Sequence, residues 1–157
     1  MLWIYKGETF NPIDTPTYYG FIYRLLFEDN DGNEYTYYGK KKLWSNTTKI
    51  ALLSGDKRKY HYRFFNKNIK GKRIQCEEIL SPSTNWRAYK GSMNKLPNGL
   101  RLAYKEILMF CDTRMDLTYW ETSVLFKEDV LFDRFNLNMN VGGKFFAGKI
   151  TGSKSYE

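Results

Sequence analysis

The stretch covering residues 19–44 constrains the fold of this chain more than any other. Residues 21–27 are rich in β-branched and aromatic side chains, which suit the pleated surface of a strand. Residues 29–33, DNDGN, supply turn-forming side chains and a glycine that can adopt positive φ, so the chain is expected to reverse there. Residues 34–39 then lead back toward three consecutive lysines. The stretch predicts a β-hairpin.

Two tyrosines, Tyr23 and Tyr37, lie on the two arms of this hairpin. Because the arms are adjacent antiparallel strands, we expect the two hydroxyl groups to lie close to one site. A pair of tyrosines on a hairpin usually serves only in packing, and the hairpin alone leaves that interpretation open.

Size and composition predict one folded domain with an aromatic core. The chain has 157 residues, of which 42% are hydrophobic and 18% aromatic. Two cysteines, Cys76 and Cys111, are too few for a disulfide framework or a zinc cluster, and His61 is the single histidine. No stretch approaches the roughly 20 apolar residues of a membrane span, and the first residues lack the layout of a secretion signal. These features predict a protein of a reducing cytoplasm.

Positive charge is concentrated in the centre of the chain. Residues 40–90 carry fourteen basic and three acidic side chains, net +11, whereas residues 1–39 are net −4 and residues 91–157 net +1. A basic block interleaved with aromatic residues is the pattern expected for binding a phosphate backbone. The alternative is a solvated lysine-rich face that maintains solubility. The candidate nucleic-acid contacts are Lys40, Lys41, Trp44, Arg63, Trp86, Arg87 and Lys90.

The remaining segments predict a small sheet with irregular insertions. Residues 1–18 are expected to form an opening strand or arm. Residues 72–80 are expected to extend the sheet, and residues 101–110 to form its third strand. The weakly periodic segments are interpreted as a loop at residues 45–48, the start of a short helix at 50–53, and a loop that orders on nucleic acid, or a short helix, at 57–72.

A helix is predicted from Asp112 or Thr113, either of which can cap it, to about Leu131. At 100° per residue, Glu121 falls inside the apolar arc of this helix, and Glu128 shares that arc as a rival. A carboxylate directed into a buried face is costly unless it is paired, and a metal ion is one such partner. The residues that define the arc are Leu117, Trp120, Val124, Leu125 and Leu131.

Several of these segments together resemble the GIY-YIG nuclease family. The sequences FIY at 21–23 and YYG at 37–39 resemble its paired half-motifs, and WRAYKGS at 86–92 is similar to the W-x-x-Y-x-G-S element of free-standing phage members. Glu121 is followed fifteen residues later by Asn136, which is the spacing of the family's catalytic glutamate and asparagine, whereas Glu128 has no such partner. The resemblance covers roughly residues 19–146.

The resemblance implies a single α+β domain with a small, mainly antiparallel sheet, three-stranded at its core and flanked by helices. Residues 1–18 would form an N-terminal arm, residues 40–90 a basic, aromatic-rich insertion, and residues 141–157 a Gly/Lys-rich tail. The implied activity is that of a Mg²⁺-dependent DNA endonuclease, with Mn²⁺ as the alternative ion. By the same resemblance, it would be a phage-encoded homing-type enzyme that acts on double-stranded DNA, as monomer or dimer, in the cytoplasm of the infected bacterium.

The resemblance also assigns roles to individual residues. Glu121 would ligate the metal, and Tyr23 would act as general base, provided that nearby cations or the metal lower the pKa of its phenol. Tyr37 would position water or phosphate, and Asn136 would fix the glutamate or the edge of the sheet.

One family residue has no counterpart in this chain. A phosphate-clamping arginine normally follows the second half-motif, but residues 43–56 contain no arginine. The candidate substitutes are Lys42, Arg63 and Arg87, in that order, although a lysine lacks the bidentate fork of a guanidinium. This gap favours an alternative function, a nucleic-acid-binding module that has lost cleavage. A third hypothesis is a structural or inhibitory phage protein that binds an acidic partner.

Overall fold

A computed structural model describes residues 1–50, 62–69, 71–82, 85–91 and 96–151, with residues 45–50, 62–69 and 72–82 described for their backbone alone. Within these ranges the chain forms strands and one helix. In chain order they are β1 (Trp3–Tyr5), β2 (Glu8–Phe10), β3 (Gly20–Glu28), β4 (Glu34–Lys42), β5 (Trp44–Ile50), β6 (Tyr62–Ile69), β7 (Lys72–Pro82), β8 (Arg101–Cys111), α1 (Arg114–Lys127), β9 (Asn140–Val141) and β10 (Phe145–Phe146).

The main sheet has five strands in the order β2-β1-β8-β3-β4. The predicted α+β class and the mainly antiparallel pairing are confirmed, because only β1 and β8 run parallel. The predicted three-stranded core is too small. It corresponds to β8, β3 and β4, and the N-terminal hairpin β1–β2 adds two strands. Strands of three residues are too short to show a period-2 pattern in the sequence.

The central hairpin, β3–β4, is confirmed and is longer than predicted. Its turn is closed by the Asp29 carboxylate, which accepts hydrogen bonds from the backbone N–H groups of Asp31 and Asn33, each at 2.9 Å. Gly32 adopts a φ of 82° at this turn, a conformation that favours glycine. The second arm continues past the predicted residue 39 to Lys42, so all three lysines of the cluster belong to β4.

A second sheet, in the order β5-β7-β6, corrects several predictions for the basic block. Residues 45–48, predicted as a loop, lie in β5, and residues 62–69 of the predicted loop form β6. The strand predicted at 72–80 is confirmed as β7, but it pairs within this second sheet. Of the helix predicted to start at 50–53, residue 50 ends β5 and residues 51–53 lie outside the described ranges. β6 and β7 pair as consecutive strands, with Ile69 opposite Lys72, whereas β5 pairs with a segment distant in sequence, which its local pattern does not reveal.

Helix α1 begins where the cap was predicted and ends earlier. The Thr113 side chain accepts a hydrogen bond from the Asp116 N–H at 3.0 Å. The helix ends at Lys127. Asp129, just beyond it, has a φ of 48°, and this left-handed conformation does not occur within a right-handed α-helix. Trp120 is 44% exposed, so the buried arc is narrower than predicted. Among the described residues, no helix has the length and apolar character needed to span a membrane.

The main sheet has two different faces. Its aromatic face carries Tyr23 and packs against the segment around Trp86. Its helix face carries Ile22 and Tyr38 and packs against α1 through Leu117 and Leu125, respectively. Because side chains alternate between faces along a strand, neighbouring residues of the hairpin are sent to opposite sides of the sheet.

Candidate active site

The two tyrosines of the half-motifs lie together on the aromatic face. Tyr23 pairs with Gly39 across β3 and β4, and Leu25 pairs with Tyr37, so the tyrosines are diagonal neighbours. Their ring centroids are 6.3 Å apart, with the ring planes inclined by 36°. The register of the hairpin therefore brings both phenols to one part of the sheet.

The surroundings of the two phenols differ in access to solvent. Tyr23 is fully buried, with 0% of its side chain exposed, between Trp3 and Tyr89 at centroid distances of 5.6 and 5.7 Å. Its ring lies directly over Gly39, where an added Cβ would come within 2.6 Å of the Tyr23 Cζ atom. Tyr37 is half-buried at the same face. Tyr37 is thus the more accessible phenol.

The WRAYKGS segment forms part of the wall behind these tyrosines. Trp86 is completely buried, and its carbonyl oxygen accepts a hydrogen bond from Trp3 Nε1 at 2.8 Å. The buried Lys105 donates from Nζ to the carbonyl oxygens of Arg87 and Tyr89, at 2.7 and 3.2 Å. Burial lowers the pKa of Lys105. The only sequence signal for this lysine is its position among the apolar residues of β8.

Two residues that were predicted to contact nucleic acid, Trp44 and Trp86, are buried. Trp44 is 8% exposed, and its Nε1 donates to the Pro16 carbonyl oxygen at 3.0 Å, while Trp86 lies in the same core cluster. An indole enclosed in the core has no ring face to offer to a base, so both tryptophans stabilise the fold. Aromatic residues within a basic block fit either role in the sequence, and only packing separates the two.

Three further predicted contacts, Arg63, Arg87 and Lys90, differ in their surroundings. The Arg87 guanidinium donates to the carbonyl oxygens of Pro12 and Ile13 at 2.8 and 3.1 Å, which fastens the segment between β2 and β3. Lys90 is exposed. Arg63 lies on β6 opposite Glu78, and its side chain is outside the described part of the chain.

Glu121 lies on the helix face and is paired with a lysine of the hairpin. Its Oε2 atom is 2.7 Å from Lys40 Nζ, and the Glu121 side chain is 22% exposed. Lys40 also contacts the Thr118 hydroxyl at 3.3 Å. The half-buried carboxylate therefore has a cationic partner. The rival Glu128 is the exposed C-cap of α1, 3.5 Å from the Tyr38 hydroxyl.

Glu121 and the two tyrosines consequently approach the hairpin from opposite faces of the sheet. Lys40 alternates with Gly39 along β4, so it points toward α1, whereas Tyr37 points toward the aromatic core. At the end of the hairpin the three lysines alternate between these faces, with Lys41 on the aromatic face and Lys40 and Lys42 on the helix face.

A cleft of about 360 Å³ opens at this end of the hairpin. Both faces contribute to it: Lys41 lies 4.4 Å over the Tyr89 ring, and Lys40 comes from the helix face. Burial lowers the pKa of Lys41, and the adjacent charge of Lys42 lowers it further. Among the described residues, four cationic side chains and no acidic one line this cleft, which suits an anion such as phosphate. Its lining residues are Tyr19, Lys40, Lys41, Lys42, Tyr89, Arg114, Leu117 and Thr118.

The donor set near Glu121 fits a cation that keeps most of its ligands outside the protein. Among the described residues, no group of three or more His, Cys, Asp or Glu side chains could enclose a metal ion. Mg²⁺ prefers oxygen ligands and is commonly held by one or two carboxylates, with water and substrate phosphate completing its shell. A single half-buried carboxylate beside a phosphate-sized cationic cleft is compatible with that mode of binding.

Asn136 fastens the edge of the sheet. Its Nδ2 atom donates to the Thr36 hydroxyl at 3.1 Å, and its backbone forms a parallel bridge with Thr36 of β4. Asn138, which sequence reasoning missed, accepts from the Tyr38 N–H at 2.9 Å and donates to the Tyr38 carbonyl oxygen at 2.8 Å. The spacing N-L-N was the available signal, since alternate residues of an extended segment face the same strand.

The chain matches the model of a protein family over most of its length. The family described as "Putative endonuclease segE, GIY-YIG domain" matches residues 3–141, most of the chain. The matched range contains both half-motifs, α1 and Asn136. Comparisons with curated proteins and with solved structures return no match.

Proposed function

Because this chain belongs to the GIY-YIG nuclease family, we propose that it is a Mg²⁺-dependent endonuclease that hydrolyses phosphodiester bonds of double-stranded DNA. The observation that carries the proposal is the cationic cleft at the end of the half-motif hairpin, bordered by the Lys40–Glu121 pair. Cleavage of a phosphodiester requires neutralised charge on the phosphate, an activated water and support for the departing oxygen.

The lysines of the cleft would bind the scissile phosphate and a neighbouring one. Lys41 and Lys42 line the cleft directly and present point charges to the DNA backbone. Lys40 is shared between the cleft and Glu121, so it would contact the phosphate while keeping the carboxylate oriented. Their combined field would also stabilise the negative charge that develops during cleavage.

Glu121 would hold Mg²⁺ through its carboxylate. When bound, the ion would supply Lewis-acid stabilisation of the phosphate and of the leaving 3′ oxygen. Removal of the Glu121 charge would leave Lys40 free to bind DNA, so binding and cleavage should separate in such a variant.

The two phenols would handle the attacking water. The resemblance assigns the base to Tyr23, but its complete burial favours Tyr37 as the hydroxyl that touches the water. Tyr23 would then support the Tyr37 ring from the aromatic core. A base must lie within hydrogen-bond reach of the proton that it removes, which makes access the first criterion.

The test compares supercoiled plasmid incubated with Mg²⁺ or with EDTA, using wild type, Glu121→Gln and Glu128→Gln. We expect nicking or linearisation by wild type, none in EDTA, and a loss of at least about 10²-fold in Glu121→Gln. Glu128→Gln is the matched control on the same helix and should cut like wild type. Cleavage that survives in Glu121→Gln but is lost in Glu128→Gln would contradict the assignment.

A second candidate function is a nucleic-acid-binding module without cleavage. The observation that favours it is the placement of Glu121 and the tyrosines on opposite faces of the sheet. This alternative predicts a salt-sensitive mobility shift with intact strands in the same plasmid assay.

The resemblance to free-standing phage members supports a finer assignment. We propose that the protein is a homing-type enzyme encoded by a phage and acting in the cytoplasm of the infected bacterium, as a monomer or dimer on DNA. Co-sedimentation of the protein with a short duplex would give its stoichiometry.

A further inference from the structure

Of the arginines whose side chains the structure describes, Arg114 is the one that lines the cationic cleft. It is the first residue of α1, follows the Thr113 cap, and is exposed. It lies across the cleft from the hairpin that supplies Lys41 and Lys42, so cations from two separate elements face the same space. Sequence reasoning did not identify it, because it lies more than seventy residues from those lysines.

The other arginines whose side chains are described are held by neighbouring groups of this protein. Arg114 has no hydrogen bond or ion pair with any other residue in the part of the chain that the structure describes. The engaged side chains are Arg24 with Glu106 at 2.7 Å, Arg101 with Glu28 at 2.8 Å, Arg87 with two carbonyl oxygens, and Arg134 over the Phe135 ring at 4.6 Å.

The lysines of the cleft are also engaged with neighbours. Lys40 is paired with Glu121, and Lys41 lies over an aromatic ring. Lys42 approaches the Tyr19 ring at 5.9 Å. A lysine acts as a point charge, whereas a guanidinium presents paired N–H donors that match two oxygens of one phosphate. The cleft therefore contains three positioned charges and one uncommitted bidentate donor.

We propose that Arg114 binds a backbone phosphate of DNA in the cleft through a bidentate contact. The inference rests on the proposed function for the identity of the ligand. Arg114 is a binding residue that orients the phosphate between α1 and the end of the hairpin. The substitution of lysine would keep its charge and lose the paired geometry.

The experiment measures binding and cleavage separately with Arg114→Ala, Arg114→Lys and Lys127→Ala. Lys127 is an exposed cation in the last turn of the same helix and serves as the control. Binding of a short fluorescent duplex is followed in EDTA at several salt concentrations. We expect Arg114→Ala to weaken binding and to reduce the salt slope by about one, with Arg114→Lys and Lys127→Ala close to wild type.

Cleavage of supercoiled plasmid with Mg²⁺ then tests the geometry of the contact. Arg114→Lys should bind with the wild-type salt slope yet cut about tenfold more slowly, because a point charge does not fix the phosphate orientation. Thermal unfolding of each variant should match wild type, since the side chain is exposed.

A wild-type salt slope in Arg114→Ala would overturn the inference, and so would a wild-type protein that fails to bind the duplex. A wild-type protein that binds but does not cut would refute the proposed function alone, and the binding measurements would still decide the role of Arg114. If Lys127→Ala lost as much duplex affinity as Arg114→Ala, any cation on α1 would have the same effect, and the inference would also be overturned.

Discussion

The two faces of the main sheet use the same hairpin for different purposes. The aromatic face is closed and ring-packed, with Tyr23 enclosed by Trp3 and Tyr89. The helix face carries charge, with the Lys40–Glu121 pair on one side and the pair formed by Arg24 and Glu106 further along. The aromatic face therefore holds the fold together through packed rings, and the helix face carries charged side chains.

The difference between the two faces shows that residues close together in a sequence motif can lie on opposite sides of the sheet. Tyr37 and Lys40 are three residues apart on β4, yet they point to opposite sides because side chains alternate along a strand. The two faces meet at the end of the hairpin, where cationic side chains from both line the cleft, but Tyr37 and Glu121 are not among the described residues that line it. Variants on each face test whether the two faces cooperate there.

The largest expected effect is on the two phenols of the aromatic face. If access decides the role, Tyr37→Phe should lower kcat by about 10²–10⁴-fold, the usual contribution of a positioned proton acceptor. Tyr23→Phe should lower kcat much less, because a fully buried hydroxyl does not meet the attacking water. Single-turnover cleavage with saturating Mg²⁺ measures both.

The reversed order, with Tyr23→Phe the more damaging, would restore the base role that the resemblance assigns to Tyr23. It would also show that the aromatic face opens when DNA binds. Duplex affinity in EDTA serves as the control and should remain unchanged in both variants.

The next effect concerns Gly39, where the aromatic face comes closest to the β4 backbone. Gly39→Ala would place a Cβ within 2.6 Å of Tyr23 Cζ, so the ring or the strand must shift. We expect a loss of about 1–3 kcal/mol in the free energy of unfolding, as for other overpacked sites. Urea denaturation measures it.

A double-mutant cycle with Tyr23→Phe isolates the cause of that loss. Removal of the hydroxyl relieves part of the collision, so the two changes should couple favourably by about 1 kcal/mol. If the two losses in the free energy of unfolding were strictly additive, Gly39 would be required for its backbone conformation and not because the Tyr23 ring occupies the space of a Cβ.

The elements that sequence patterns predicted are those with long, regular signals. β3, β4, β8 and α1 each carry nine or more residues with a clear period, a turn or a cap. The three-residue strands β1 and β2 have too few residues for a period to show. In the second sheet β7 was predicted as a strand, whereas β5 was missed because it pairs with a distant segment, and β6 because polar and basic residues interrupt its apolar ones.

The candidate site shows the same division. Tyr23, Tyr37 and Glu121 were identified through motif spacing, and their catalytic roles stay predictions. The Lys40 partner of Glu121 and the presence of Arg114 in the cleft depend on how α1 packs against β4, which no local pattern encodes. The sequence therefore predicted the candidate catalytic residues, whereas tertiary packing determines which cationic side chains lie near them.

The smallest expected effect is a pH dependence at the junction of the two faces. The pKa of Lys41 is lowered by burial and by Lys42, so Lys41 loses its charge at a lower pH than an ordinary lysine. As pH rises through that lowered pKa, its phosphate contact should weaken and duplex affinity should fall by several-fold, about 1 kcal/mol. Lys41→Arg stays charged over this range and retains stacking on Tyr89, so its affinity should remain flat. Fluorescence anisotropy with a short duplex, at constant salt and from pH 7 up to the ordinary lysine pKa of about 10.4, distinguishes the two curves. If affinity varied with pH in the same way for wild type and Lys41→Arg, Lys41 would make no phosphate contact. The phosphate would then be bound by cations of the helix face alone.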